Sequence, residues 1–336
     1  MVGDVNEIRS NSSNELADVF FEKTRKENIS RIQKILKINL HGCDLLFCLF
    51  YSSLNSFRVE QCLKPLPPGF QSNDTDSIDK LRQICSSLPG LRSLMLDPSH
   101  LSAEALAILN YLLFCKNQPL LRRIDLDNFQ FPDETDITLL PNHVFEVIYP
   151  QHMTDSWNRR KKNHNVIMAF HGSQLENFYS IIRFGLQHHF GNGKIQLFGQ
   201  GTYLSTELSV SMIFAPFSRN WPKSVLGAKL SIIAVCEVLD IKHKVKKKAS
   251  SNYRGIGGEI PDKYVVVTDN EVMKIKYLLV YSKREANFRS WSYRNVFAVL
   301  LLLYFVFLCI IGSQNSLSIT FTRLWNKYIK KHFLQY

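Results

Sequence analysis

The chain has 336 residues, of which 45% are hydrophobic; that is enough for a core, and the length points to two folded parts with extras. Its formal net charge is +12, and much of the excess sits in the runs Arg159–Lys162 and Lys242–Lys248. These lack aromatic interleaving or any nucleic-acid module, so no nucleic acid is expected, and anionic lipid headgroups are the better partner for such runs. Seven scattered cysteines with no C-x-x-C pair indicate neither a disulfide framework nor a zinc site; a reducing compartment and no metal are expected.

Residues 1–15 are polar and rich in Ser and Asn, without an apolar leader, and predict a disordered N-terminus. From 16 to 135 the patterns predict a helical domain. A sparse stripe of Phe20, Phe21, Ile29, Ile32, Ile35 and Leu36 runs into the apolar patch Leu45–Tyr51. That patch is too short to span a bilayer and reads as a core helix. Pro65-Leu66-Pro67-Pro68-Gly69 is a break. Ser77–Leu88 and Ser102–Lys116 read as helices, the second with Ser102 as its cap and Glu104 in the first turn. Leu121–Pro141, rich in Asp, Asn and Pro, reads as a linker.

The signal then turns to strands: His143–Tyr149, Asn165–Phe170, Lys229–Asp240, Tyr264–Asp269 and Met273–Ser282. These are rich in Val, Ile and Tyr and bounded by turn residues, and few helices lie between them. They predict a mainly antiparallel α+β domain over 136–290. Only Asn270–Val272 separates the last two, a hairpin spacing. Val296–Gly312 is apolar on every face, within an uncharged run from Asn295 to Thr322. As a helix it would be about 26 Å long, near the roughly 27 Å hydrocarbon core of the endoplasmic reticulum. It predicts a transmembrane tail anchor at 295–313, a short luminal tail at 314–336, and a cytosolic bulk.

There is no P-loop, no dinucleotide fingerprint after Gly191-Asn192-Gly193, no nucleophile elbow and no H-E-x-x-H. Three other features stand out. His171-Gly172-Ser173 ends an apolar run. After it, Leu175, Phe178, Ile181 and Ile182 recur at helical spacing, and Gly185 suits a left-handed helix end. FGQGTYLS, 198–205, places two glycines before Tyr203, and GGEIPDKYVVV, 257–267, opens a strand at Tyr264. Singly they read as a capped helix, an ordinary turn and a packed strand tyrosine.

Together, in this order, they resemble the ADP-ribosyltransferase domain of the poly(ADP-ribose) polymerase-like, or diphtheria-toxin-like, family. The first motif, His-Gly-Ser/Thr, is matched by His171, Gly172 and Ser173. The second is matched by Gly199, Gly201 and Tyr203, with Thr202 at a usually apolar position, and Ser211 and Phe214 follow at the usual offsets. Counting back from Tyr277-Leu278-Leu279 gives Tyr264 as the third member. The resemblance implies NAD+ as co-substrate, bound in a cleft between two small antiparallel sheets. The backbone of Gly172 would hold the nicotinamide carboxamide, with Ser211 supporting it, and Ser173 would also belong to the cofactor-binding set. His171 would bond a ribose hydroxyl, and Tyr203 and Phe214 would stack on the ring. Chain-forming members carry a glutamate where Tyr264 stands. A phenol is a poor base at neutral pH, so transfer of single ADP-ribose units is implied.

The C-terminal span sharpens the resemblance toward a small tail-anchored type. That implies the endoplasmic reticulum membrane and nuclear envelope as location. The protein substrates implied are membrane or stress-signalling proteins there and the enzyme itself. An NAD- or ADP-ribose-binding scaffold and an NAD glycohydrolase are the competing readings.

Overall fold

The computed structural model describes residues 3–71, 74–98, 100–131, 139–187, 197–248, 259–283 and 295–325. Two compact units divide the chain, Met1–Arg284 and Glu285–Tyr336. Gly191–Gly193, Gly257-Gly258 and the end of the luminal tail lie outside the described residues.

The first unit begins with α1, Gly3–Leu54, whose backbone is helical where disorder was expected over 1–15. After Gly3 that stretch contains neither proline nor glycine, so its polarity does not bar a helix. α1 is two helices joined at Asn39, which leaves helical geometry at φ −144° and ψ 53°. The Asn39 side chain accepts from the Gly42 N–H and donates to the Leu121 carbonyl. Thr24–Leu54 is long and apolar enough to cross a membrane by composition alone. Ile32, Leu36, Leu45, Phe47, Leu49 and Leu54 are nevertheless buried within the unit, and each such side chain contributes about 1.5–3 kcal/mol on leaving water. α1 is therefore a core helix, as the Leu45–Tyr51 patch predicts.

Around it pack α2 (Val59–Cys62), α3 (Thr75–Ser87), α4 (Leu91–Leu96) and α5 (Ala103–Phe114). Ser102 caps α5, accepting from the Ala105 N–H. The expected linker is different at its start: Leu120–Ile124 forms the edge strand β1, with Leu121 buried.

The remaining strands are β2 (His143–Ile148), β3 (Val166–Ser173), β4 (Thr202–Ser205), β5 (Ser218–Arg219), β6 (Lys229–Leu239), β7 (Val245–Lys246), β8 (Tyr264–Val267) and β9 (Met273–Lys283). They form one antiparallel sheet in the order β1-β2-β9-β6-β3-β4-β8-β7, with β5 beside β6. The expected pair of small sheets is thus joined, at a single register pair of Phe170 with Ser205. The expected hairpin is also absent. β8 pairs with β4 and β7, whereas β9 lies between β2 and β6. A 3₁₀ turn, Asn270–Val272, redirects the chain, and Asp269 caps it by accepting from the Glu271 N–H.

Along β6, Ile232, Ala234, Cys236 and Val238 join the core that contains α1, while Ile233 and Val235 join a second cluster with Phe170 and Leu279. A strand covered on both faces needs a continuous apolar run rather than alternation. The larger cluster runs from Ile32 to Val280, so the segment expected as a separate helical domain shares its core with the sheet.

The basic runs are largely neutralised. Arg159–Lys161 end α6, Gln151–Lys161, where cations complement the helix dipole. Lys161 meets Glu237, and Lys244, Lys247 and Lys248 pair with Asp269, Asp240 and Asp262. Three cations of the second run are thereby held by acids of this chain, which weakens the headgroup reading.

In the second unit, α9 runs unbroken from Val296 to Leu324. Its apolar stretch is Ala298–Gly312, shorter than a full span, so a transmembrane helix at 295–313 is not established by the helix itself.

Candidate active site

Three stretches distant in sequence converge where β3, β4 and β8 adjoin. Ser205 stands opposite both Phe170 and Tyr264, so alternation puts Tyr203 and Tyr264 on one face. The strand expected over Asn165–Phe170 extends through the triplet: His171, Gly172 and Ser173 are the last residues of β3. α7, Phe178–Phe184, follows after a 3₁₀ turn at Leu175–Asn177, and Gly185 ends it at φ +76°.

His171 is half-buried, with Nδ1 2.9 Å from the main-chain oxygen of Tyr203. An oxygen acceptor requires the proton on Nδ1, which leaves Nε2 as an acceptor in the neutral ring. Burial lowers the pKa of His171, and the bond to the Tyr203 carbonyl offsets part of that shift. The ring is therefore neutral at physiological pH.

Gly172 is required by packing. A Cβ there would sit 1.9 Å from the Ser211 carbonyl oxygen and 3.3 Å from the Phe214 Cβ. The short helix α8, Leu208–Met212, thus passes directly over the end of β3. Ser211 is buried and its Oγ donates to the Phe170 carbonyl at 3.0 Å. By strand alternation the Gly172 N–H and C=O share the edge of that carbonyl, and β4 pairs with this edge at Phe170 alone. Phe214, 55% exposed, follows in the turn closed by its N–H to the Ser211 carbonyl.

Tyr203 spends its hydroxyl on the preceding turn. The hydroxyl donates to the Gly199 carbonyl at 2.8 Å and accepts from the Phe198 N–H at 2.9 Å. Gly199 and Gly201 hold φ of +87° and +154° in that turn, the region open to glycine. Tyr203 therefore offers a ring, not a proton. Tyr264 is half-buried at the start of β8, and its hydroxyl makes no hydrogen bond among the described residues.

Ser173 Oγ accepts from Asn177 Nδ2 at 2.8 Å, a bond that ties the end of β3 to the turn that follows it. One neighbour was missed by sequence reasoning. The ring of Phe198 lies 6.2 Å from that of Tyr203 and 5.8 Å from that of Tyr264, linking the two tyrosines. It was visible only as the first letter of FGQGTYLS; its bridging position depends on β4 pairing with β8. Thr202 is buried with Oγ1 unpartnered among the described residues, the consequence of a hydroxyl at an apolar position of the motif.

The family model described as the poly(ADP-ribose) polymerase catalytic domain matches residues 133–257, and that of the ARTD15 N-terminal domain matches 34–113. The catalytic match stops before Tyr264. Protein mono-ADP-ribosyltransferase PARP16 of Mus musculus is 34% identical over 305 residues, covering 85% of this chain and 94% of the relative. The Homo sapiens protein of the same name gives the same identity and coverage.

Proposed function

The chain belongs to the poly(ADP-ribose) polymerase family and is similar to its mono-ADP-ribosyltransferases, and from that premise we propose that it transfers single ADP-ribose units from NAD+ to protein side chains at a membrane. Gly172 pairs its backbone with the nicotinamide carboxamide. The Ser211 hydroxyl, donating to Phe170, accepts from the carboxamide NH₂. Tyr203 and Phe214 take the two faces of the ring, and such stacking contributes about 0.5–1.5 kcal/mol per pair beyond area. His171 accepts a ribose hydroxyl at Nε2 while Nδ1 is anchored on Tyr203.

As the glycosidic bond breaks, nicotinamide leaves neutral and the ribose gains oxocarbenium character, so positioning carries the reaction. An acceptor carboxylate attacks C1′ to form an ester. Charge balances with no proton to remove, so Tyr264 need not act as a base. The observation that carries this reading is the phenol of Tyr264, which makes no hydrogen bond among the described residues and sits at the position the resemblance assigns to the glutamate of chain-forming members.

The acceptors are proteins of the endoplasmic reticulum membrane or stress signalling, and the enzyme itself. α9 anchors the chain in the endoplasmic reticulum and nuclear envelope with the first unit cytosolic. Its support is an unbroken helix carrying the uncharged run to Thr322, about 40 Å long at 1.5 Å per residue.

The full chain in detergent micelles, given labelled NAD+, should gain label in single units, and His171→Ala or Tyr203→Ala should abolish it. Free ADP-ribose without labelled protein would indicate a glycohydrolase, and NAD+ binding without either product a scaffold. Deleting 296–336 should release the protein from membranes.

A further inference from the structure

The turn that leaves the strand end of His171 and Gly172 is held from the helical segment, outside the catalytic-domain match. Arg58 Nη2 lies 2.6 Å from Glu176 Oε1, 2.8 Å from Gln174 Oε1 and 3.3 Å from Asn177 Oδ1. Asn177 donates onward to Ser173 Oγ at 2.8 Å. Ser53 Oγ sits 2.5 Å from the Glu176 main-chain oxygen, and Cys62 Sγ 3.3 Å from Asn177 Oδ1. The Arg58 and Glu176 side chains are only 27% and 18% exposed, so water screens this pair less than a surface ion pair.

All three oxygens converge on one guanidinium nitrogen, whose two hydrogens are shared among them, so a single charged group ties Gln174, Glu176 and Asn177 together. We infer that Arg58 is a positioning residue for the nicotinamide side of the site: through Asn177 and Ser173 it sets the strand end that carries His171 and Gly172. The helical segment is then part of the donor site's support and not only a fold partner. This rests on the donor-site reading of His171 and Gly172 proposed above.

The test uses the full chain in micelles with Arg58→Met, Arg58→Lys and Arg82→Met. Arg82 is the control, because its Nε donates to the Leu54 carbonyl at 3.1 Å and it pairs with Asp79, tying α3 to α1 without touching Gln174–Asn177. Binding of benzamide, which presents the carboxamide of nicotinamide, is followed by calorimetry alongside KM for NAD+, kcat and Tm. Arg58→Met should weaken benzamide binding and raise KM about three- to tenfold, with kcat changed by less than about twofold. Arg58→Lys should recover part of that loss. Arg82→Met should lower Tm and leave KM alone. Unchanged benzamide binding and KM in Arg58→Met would overturn the inference, as would equal rises in Arg58→Met and Arg82→Met. If the unsubstituted protein binds benzamide but labels no protein, the transferase reading fails while the binding comparison still decides the role of Arg58.

Discussion

Replacing Gly172 by alanine puts one methyl group against backbone. The new Cβ would lie 1.9 Å from the Ser211 carbonyl oxygen and 2.9 Å from its carbon, where contacts below 3.0 Å are essentially never seen. A flexible side chain could swing aside, but a carbonyl inside α8 cannot. Either α8 retreats or the end of β3 bends, by roughly 1 Å, and overpacking of this kind costs about 1–3 kcal/mol. The displacement falls on Ser211, Phe214 and the Gly172 backbone together. A shift of about 1 Å in a positioned group can cost on the order of a hundredfold in rate. Gly172→Ala should therefore lower Tm by several degrees and reduce kcat/KM for labelled transfer by about a hundredfold, with benzamide binding weakened in parallel. Wild-type Tm and kcat/KM in this variant would refute the packing argument.

Asp44 is buried in α1, accepting from Ser224 with Oδ1 unpartnered, and burial raises its pKa to about 6 against the hydrogen bonds that lower it. A folded-state value above the unfolded 3.8 means that stability is fully present below pH 3.8 and is lost as pH rises through 6, a change of up to about 3 kcal/mol. Asp44→Asn should flatten the unfolding free energy between about pH 4 and 6.5 and leave the protein more stable than wild type at pH 7.5; an unchanged pH slope in denaturant titrations would refute this. Thr202→Val removes a buried, unpartnered hydroxyl at constant shape and should raise stability by about 1 kcal/mol in urea melts, whereas a loss of that size would mean that the hydroxyl is satisfied. Tyr264→Phe should leave single-unit labelling of carboxylate acceptors within about threefold, because no proton passes through it; a loss beyond about a hundredfold on gels would assign the phenol a chemical role.

Local chemistry made much of this protein legible from its residues. A covered strand such as β6 must be apolar throughout, and Ser102 declares a helix start wherever the chain carries it. The motifs around His171, Tyr203 and Tyr264 have fixed spacings because each lies on one strand or in one turn. Pairing was not legible. Asn270–Val272 has the length of a hairpin loop, yet β8 and β9 sit in different parts of the sheet, since the partner of a strand is chosen by packing on distant segments rather than by loop length. The same holds for Ser211 over Gly172 and for Arg58 against Glu176, whose contacts join residues 39 and 118 positions apart. Motif spacing, read through the family resemblance, named His171, Gly172, Tyr203 and Tyr264 as candidate site residues. Only the tertiary structure decided that glycine is the sole residue fitting under α8, and that the helical segment braces the strand bearing it, because both depend on atoms brought within a few ångströms by the fold.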